Sequence, residues 1–333
     1  MKRQAQTEDS ILRRISGAAK RRSSGLRGGA VMLGIGDDTA LLRPKPGHET
    51  ILTCDWFLEG THFLRDKHPA DAVGWKCLAR AVSDVAAMGG TPRCFLLSLA
   101  LPSSHTGPWL DEFLGGLRRA SRKFACVLAG GDTTQRKEIL INVTVVGEIR
   151  SGHAVLRSGA RPGDIIFVSG RLGEAEMGLR ILKQSKKIPV PGNPLTRKHL
   201  YPEPRIVLGQ WLAKNRLASS MMDLSDGLSS DLHRLCAASA TGARIEATRL
   251  PTVSFTSSLG RPRVHPTLLA LHGGDDYELL FTVPSRKAER VPRYFEGLRL
   301  TAVGEITSKR GIRVLTESGD ERALLAEGWD PFR

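Results

Sequence analysis

Apolar runs of strand length alternate with helical patterns along most of this chain. In its first half the strand candidates are 50–54, 94–101, 125–129 and 139–148, and helix candidates lie between them at 70–88 and 108–123. A second set starts near Ser151, where a turn at 161–164 leads into a further apolar run. Strands mixed with helices in this way predict an α/β chain (α+β mixed). We divide it into a basic N-terminal segment at 1–30 and two α/β domains at 31–150 and 151–333.

Two local patterns add detail to this prediction. The stretch 188–204 holds five prolines, which favour an ordered loop or lid over a helix because proline removes a backbone donor and clashes with the preceding turn. Further on, Asp223 and Ser225 are two positions apart, which predicts that both side chains lie on one face of a strand. A helix is predicted to follow at 227–239.

Composition limits the compartment and the partners. A chain of 333 residues with 41% hydrophobic content can bury two cores of ordinary size. Its five cysteines include no C-x-x-C pair, which points to a reducing compartment. No run approaches the ~18 apolar residues of a membrane span, and no apolar segment follows the basic N-terminus as a secretory signal requires. We therefore expect a soluble, cytoplasmic protein without a membrane partner.

The net charge of +15 indicates an acidic partner, which could be nucleic acid, an anionic membrane or a phosphorylated small molecule. Residues 1–30 hold eight basic residues against two acidic ones. No RNP, zinc-finger or helix-turn-helix pattern accompanies this charge, so a dedicated nucleic-acid role is not the favoured interpretation.

Aspartates recur beside small residues at the apparent ends of elements. Six such clusters lie at 34–39, 53–55, 83–85, 130–134, 223–227 and 273–278. Carboxylate oxygens are the hard ligands that Mg²⁺ prefers, and small neighbours leave room for the metal, its waters and a phosphate. A single cluster is more often an ordinary turn or cap. All six together, with Asp84 inside an otherwise apolar helical stretch, favour a shared magnesium site.

Other phosphate-binding motifs do not occur in the sequence. It contains no Gly-Lys dipeptide and therefore no Walker A loop. Gly34-Ile35-Gly36 lacks the third glycine of a dinucleotide fingerprint and is followed by two aspartates. The protein-kinase signatures and the G-x-S-x-G elbow are also missing. We therefore expect ATP phosphates to be bound through aspartates and metal.

The order of the motifs resembles one known family. They are Gly-Ile-Gly-Asp-Asp at 34–38, Asp55 followed by His62-Phe63, Ser-Asp-Val-Ala-Ala-Met-Gly at 83–89, Gly-Gly-Asp-Thr at 130–133, Arg-Ser-Gly-Ala at 157–160, Asp-Leu-Ser-Asp-Gly at 223–227 and Gly-Asp-Asp-Tyr-Glu-Leu at 274–279. Together these motifs resemble those of the thiamine-monophosphate kinase family, and the resemblance runs from about residue 10 to 332. It implies a two-domain aminoimidazole ribonucleotide synthetase-like fold, with 31–150 as the metal- and nucleotide-binding domain.

The resemblance also implies roles for individual residues. Magnesium would be bound by Asp37, Thr53, Cys54, Asp55, Asp84, Asp132, Asp223 and Asp226. ATP would be contacted by Gly131, Asp132, Arg157 and Ser225, and thiamine monophosphate by His62, Asp275 and Trp329. Cys54 stands where the family usually has Thr, and its backbone carbonyl could serve in place of the thiol. Taken alone, His62 is more often a structural histidine and Trp329 a residue that packs the tail.

The implied reaction transfers the γ-phosphoryl of ATP, as co-substrate, to thiamine monophosphate with the help of several Mg²⁺ ions. Phosphate monoesters have a second pKa of about 6, so the attacking oxygen is already anionic at neutral pH and we assign no general base. The resemblance further implies a homodimer. Two alternatives stay open: another ATP-using enzyme of the same superfamily, and a non-catalytic basic protein that binds nucleic acid.

Overall fold

A computed structural model describes residues 8–20, 30–35, 39–185, 193–254 and 264–332. Asp37, one of the expected magnesium ligands, lies outside these residues. Within them, no helix is long and apolar enough to cross a membrane. The described parts of Met1–Val85 and Gly90–Ser151 form a first compact unit, and those of Ala86–Gly89, Gly152–Ser185 and Pro189–Arg333 form a second.

The chain up to Ser151 forms three helices and six strands in its described parts. In order these elements are α1 (Glu8–Lys20), β1 (Val31–Leu33), β2 (Leu41–Leu42), β3 (His48–Leu58), α2 (Ala70–Ala87), β4 (Thr91–Leu101), α3 (Pro108–Lys123), β5 (Val127–Gln135) and β6 (Leu140–Arg150). The main sheet has the order β3-β6-β4-β5, while β1 pairs with β2. In the main sheet β4 and β5 are parallel and the other pairs are antiparallel.

The two faces of the main sheet differ in what covers them. Side chains alternate along a strand, so Thr53, Asp55 and Phe57 of β3 share one face. Helix α2 lies on this face, where the Arg80 guanidinium sits 5.3 Å from the centre of the Phe57 ring. The opposite surface, which we call the open face, exposes apolar side chains to the extent of 70% for Leu52, 55% for Trp56 and 40% for Leu96.

Two glycines allow α2 and α3 to pack backbone against backbone. A Cβ at Gly74 of α2 would lie 2.0 Å from the carbonyl oxygen of Phe113. A Cβ at Gly116 of α3 would lie 1.8 Å from the carbonyl oxygen of Asp71. Any larger residue at either position would force the helices apart. This close contact holds the helix that carries Asp84.

The second unit is built on one large sheet. From Gly152 onward the elements are β7 (Ile165–Ser169), α4 (Glu174–Gln184), α5 (Pro194–Leu200), α6 (Ile206–Lys214), β8 (Ser220–Leu224), α7 (Leu228–Ser239), β9 (Gly242–Glu246), α8 (Pro266–His272), β10 (Glu278–Val283), β11 (Tyr294–Phe295), β12 (Leu298–Thr307), β13 (Gly311–Leu315) and β14 (Glu321–Ala323). The sheet has the order β14-β13-β9-β12-β7-β10-β8, and β11 pairs with β12. Apart from the parallel pair of β13 and β9, the described pairs are antiparallel.

Apolar cores cover both faces of this sheet. On one face Phe167 and Phe281 stack with ring centroids 5.4 Å apart, in a core that includes Leu212 of α6. On the other face Val168 belongs to a core with Leu232 of α7. Since β8 and β10 are antiparallel, the end of β8 and the start of β10 meet at one edge. The turns that carry the last two aspartate clusters, at 223–227 and 273–278, leave the sheet there.

The stretch at 193–200 corrects the prediction of a loop between 188 and 204. Residues 194–200 form α5, and 188–192 lie outside the described residues. Asn193 caps the helix by accepting the N–H of Leu195 on its side-chain oxygen over 2.9 Å. Pro194 is the first helical residue, where the missing N–H has no intrahelical partner to lose. The prediction was wrong because it treated this proline as one in a helix interior.

The turn after β8 corrects a second prediction. Because β8 ends at Leu224, Ser225 lies in the turn and does not share a strand face with Asp223. Gly227 closes the turn with φ at +103°, a left-handed conformation that favours glycine. Helix α7 begins at the next residue.

Candidate functional site

In the first unit a strand residue and a helix residue bring expected magnesium-binding groups together. Thr53 lies on β3 and Asp84 on α2, and the Thr53 hydroxyl donates a hydrogen bond to Asp84 Oδ2 over 2.5 Å. Asp55 follows on the same face of β3, and both aspartates are partly exposed. The hydroxyl orients one carboxylate oxygen of Asp84. These three residues form a polar strip between the strand and the helix.

Asp132 and Cys54 lie on the other side of the same sheet. Asp132 of β5 pairs in register with Ser98 of β4, and both residues are exposed. Strand alternation therefore places Asp132 on the open face. Cys54 is exposed on that face too, with its Sγ 3.2 Å from Asn142 Nδ2. The structure does not bring these two side chains together with the polar strip.

Gly131 and His62 have local structural partners. A Cβ at Gly131, whose φ is +153°, would lie 1.9 Å from the Leu97 carbonyl oxygen, so glycine is needed for β5 to approach β4. The Nδ1 of His62 accepts the backbone N–H of Leu58 over 3.0 Å, and its ring centroid lies 6.0 Å from that of Phe57. These contacts fix both positions. Their roles toward ATP and substrate remain predictions.

The donor chemistry of the first unit fits Mg²⁺. Carboxylate and hydroxyl oxygens are hard ligands, and the polar strip offers both. The part of the chain that the structure describes contains no group of three His, Cys, Asp or Glu side chains placed to hold a metal. Mg²⁺ is usually held by one or two carboxylates together with waters and substrate phosphates. Pairs of aspartates therefore fit a metal that enters with a nucleotide.

In the second unit the predicted residues Asp223, Ser225 and Asp226 stand at the end of β8 and in the turn that follows. Asp223 is only 4% exposed. The Asp226 carboxylate pairs with the guanidinium of Arg234, with 2.5 Å between Oδ2 and the nearest nitrogen. The same nitrogen lies 2.5 Å from Oδ1 of Asp231, so Arg234 bridges two carboxylates.

Asp231 and Arg234 were not among the predicted site residues. Asp231 is fully buried, and burial raises the pKa of its carboxyl to about 7. The charge of Asp226 adds to this rise, while Arg234 opposes it. The available signal in the sequence was an aspartate in the first turn of a predicted helix, where a carboxylate is favourable next to free backbone N–H groups.

The expected substrate residues Asp275 and Trp329 gather around the same turn. The N–H of Asp275 donates to the carbonyl of Ser225 over 2.8 Å, and that of Trp329 donates to the carbonyl of Asp226 over 2.9 Å. The Tyr277 hydroxyl donates to Asp275 Oδ1 over 2.7 Å. Four of the predicted residues thus lie together in this unit.

Two neighbouring acids, Asp276 and Glu278, anchor the segment that carries Asp275. Asp276 accepts the N–H of Gly173 over 2.6 Å at the start of α4. Glu278 is fully buried and pairs with Lys198 over 2.6 Å and with Arg205 over 2.5 Å. Burial acts to raise the pKa of Glu278, but the two cations outweigh it and lower that pKa to about 2. The chain is therefore fixed directly after Asp275.

Arg157 lies away from this cluster within the second unit. Its carbonyl accepts a hydrogen bond from the hydroxyl of Ser239, the last residue of α7, over 3.0 Å. Ser225 lies in the turn before Leu228, the first residue of the same helix, which has 12 residues. At 1.5 Å per residue the helix separates them by roughly 18 Å. The structure does not bring Arg157 next to Ser225.

Comparison with known proteins agrees with this architecture. The AIR synthase related protein N-terminal domain matches residues 36–149, and the corresponding C-terminal domain matches residues 161–317. The Escherichia coli hydrogenase maturation protein HypE has a TM-score of 0.76 at 18% identity, which shows a shared fold. The fold and the two matched domains place the chain among the AIR synthase related proteins. The predicted fold class is confirmed.

Closer relatives narrow the class. Thiamine-monophosphate kinase of Escherichia coli (strain K12) is 39% identical over 309 residues, which cover 91% of this chain and 92% of the relative. That of Bacillus subtilis (strain 168) is 34% identical over 314 residues, covering 91% and 94%. The crystal structure of the Stenotrophomonas maltophilia K279a enzyme has a TM-score of 0.79 at 34% identity and covers 91% of this chain and 95% of its own. The chain belongs to the thiamine-monophosphate kinase family and is a kinase, as the motifs predicted.

One further solved relative carries ligands. It is described as AaThiL complexed with AMPPCP and TMP, is 35% identical, and has a TM-score of 0.74. The match covers 89% of this chain and 91% of that one.

Proposed function

We propose that this chain transfers the γ-phosphoryl of ATP to thiamine monophosphate and so forms thiamine diphosphate. The observation that carries the proposal is the gathering of Ser225, Asp226, Asp275 and Trp329 around one turn of the second unit. The relative described with AMPPCP and TMP supports this choice of donor and acceptor.

The proposed reaction does not require a general base. The attacking oxygen belongs to a phosphate monoester and is largely deprotonated at neutral pH. The main barrier is repulsion between two anionic substrates that must also be aligned. Bound Mg²⁺ would supply charge neutralisation at the phosphates. The residues of this chain hold, orient and partly enclose the reactants.

Individual side chains divide these tasks. We infer that Asp55 and Asp84 hold metal in the first unit, with the Thr53 hydroxyl fixing the orientation of Asp84. In the second unit Asp226 would do the same. Asp37, Cys54, Asp132 and Asp223 complete the proposed set of metal ligands, and Gly131, Arg157 and Ser225 the set toward ATP. Toward thiamine monophosphate we propose His62, Asp275 and Trp329, because an indole face suits a cationic aromatic ring.

The test is ATP consumption and thiamine diphosphate formation by the purified protein. Thiamine monophosphate should be phosphorylated in the presence of Mg²⁺, and excess EDTA should abolish the reaction. Free thiamine is the matched control, because it lacks the anionic nucleophile and should be a poor acceptor. Turnover with an aminoimidazole precursor but none with thiamine monophosphate would assign the chain a different activity.

We also infer a homodimer in the cytoplasm. The open face exposes three large apolar side chains on one side of the sheet, and a second copy of the same face would cover them. All five cysteines are free thiols, which fits a reducing compartment.

A further inference from the structure

The backbone of the Ser225–Asp226 turn is held by three other segments. The N–H groups of Ser225 and Asp226 both donate to Oδ2 of Asp231, each over 3.1 Å. Their carbonyls accept from the N–H groups of Asp275 and Trp329. Every backbone donor and acceptor of these two residues therefore has a partner. Among those partners the Asp231 carboxylate is the one side chain.

Asp231 is suited to this task by its position. It stands in the first turn of α7, with no exposed surface. Its second oxygen, Oδ1, faces Arg234, which also holds the Asp226 carboxylate. One buried carboxylate thus fixes the backbone of the turn and, through Arg234, the direction of its acidic side chain.

We propose that Asp231 is a positioning residue for the reaction, which acts by holding Ser225 and Asp226 where they meet metal and nucleotide. This inference rests on the proposed function. A purely structural role, in which Asp231 only ties the preceding turn to α7, would make the same bonds but would affect only stability. The two roles differ in the Mg²⁺ dependence of activity and in the order of the turn in the folded protein.

Two variants of Asp231 remove its hydrogen bonds in part or completely. Asp231→Asn keeps one oxygen that can accept both N–H groups, but its amide nitrogen faces a guanidinium that also only donates. Asp231→Ala removes every bond. Asp164→Asn is the matched control. Asp164 is also buried in the second unit, and it accepts the N–H of Arg161 over 3.0 Å and the hydroxyl of Ser219 over 2.6 Å, but it precedes β7 and does not touch the turn.

The experiment combines hydrogen–deuterium exchange of a peptide spanning 224–229 with Mg²⁺ titrations of activity. Exchange of the turn should accelerate by about tenfold to a hundredfold in Asp231→Ala, by less in Asp231→Asn, and not in Asp164→Asn. The Mg²⁺ concentration for half-maximal activity should rise about tenfold or more in Asp231→Ala, while saturating Mg²⁺ restores much of kcat.

Failure of the proposal is distinguishable from failure of the proposed function. If wild-type protein does not phosphorylate thiamine monophosphate, the proposed function is wrong, and exchange alone then reports whether Asp231 orders the turn. If wild-type protein is active and Asp231→Asn matches Asp164→Asn in both Mg²⁺ dependence and exchange, Asp231 has a structural role only and the proposal is wrong. The Asn variant keeps the shape and one acceptor, so this comparison does not depend on the Ala variant folding.

Discussion

At the scale of single residues, the hydrogen bond from Thr53 to Asp84 connects strand β3 to a partly exposed carboxylate on helix α2. Asp84→Asn keeps the size of the side chain but removes its charge. If the carboxylate holds metal, activity should fall at least about a hundredfold, since each ~1.4 kcal/mol of lost transition-state stabilisation is tenfold in rate. Steady-state kinetics beside a melting curve measure the effect.

Thr53→Val is the matched control for this variant. It removes the hydroxyl that orients the carboxylate but keeps the charge, so its loss of activity should be clearly smaller. A folded Asp84→Asn variant with near-wild-type kcat would remove Asp84 from the metal site.

Trp329 can be tested without disturbing its backbone contact. Its N–H bonds the carbonyl of Asp226, and this bond survives truncation of the side chain. If the indole covers the cationic substrate, Trp329→Ala should raise KM for thiamine monophosphate by roughly two- to thirtyfold, because cation–π contact contributes about 0.5–2 kcal/mol. KM for ATP should stay nearly constant.

Phe332→Ala is the control, since Phe332 lies in the same tail and is 95% exposed. It should change neither KM. A Trp329→Ala variant with lower thermal stability and two unchanged KM values would show that the indole only packs the tail.

The motifs in the sequence were enough to predict several of the residues that gather at the Ser225–Asp226 turn. Asp275 and Trp329 are 54 positions apart, and the structure brings both to the Ser225–Asp226 turn. Asp231 was missed because its one signal, an aspartate in the first turn of a predicted helix, does not show that the side chain reaches back to the turn before the helix. Asp132 was grouped with Asp84, whereas strand alternation places it on the opposite face of the sheet.

At the scale of elements, adjacent glycines of α3 give a direct test of helix packing. A Cβ at Gly116 would lie 1.8 Å from the Asp71 carbonyl oxygen, whereas one at Gly115 meets no described atom within 4 Å outside its own helix backbone. Gly116→Ala should therefore destabilise the protein by about 1–3 kcal/mol through overpacking. Gly115→Ala should stabilise it by about 0.4–1 kcal/mol, because the unfolded chain loses freedom.

Denaturant unfolding of the two variants beside wild type measures both changes. Equal effects of the same sign at the two positions would contradict the close approach of α2 and α3.

Elements with strong periodicity were predictable, and short or capped ones were not. The helical pattern at 70–88 is α2 (Ala70–Ala87), and the pattern at 108–123 is α3 (Pro108–Lys123). Helix α5 was missed because a capping asparagine and a proline at the first position resemble a loop until the cap is seen. The sheet order could not be derived from one sequence, since pairing β13 with β9 brings together strands that are distant along the chain.

At the scale of the whole molecule, we expect two copies of the chain to associate through the open face. Leu52 and Trp56 on β3 and Leu96 on β4 expose apolar surface on one side of the main sheet. Large exposed apolar patches on soluble proteins mark interaction sites. An isologous contact of this face with itself would bury the patch of both copies at once and close the assembly at two subunits.

Leu52→Asp should therefore convert the proposed dimer to a monomer, because a carboxylate placed in such an interface would be desolvated without a partner. Light scattering behind size-exclusion chromatography gives the mass directly, and 36.3 kDa is the value for one chain. The matched control is Leu325→Asp, since Leu325 is 63% exposed in the second unit and is not part of the open face. Its mass should equal that of wild type. A wild-type protein that elutes as a monomer, or a Leu52→Asp variant that remains a dimer, would contradict assembly through this face.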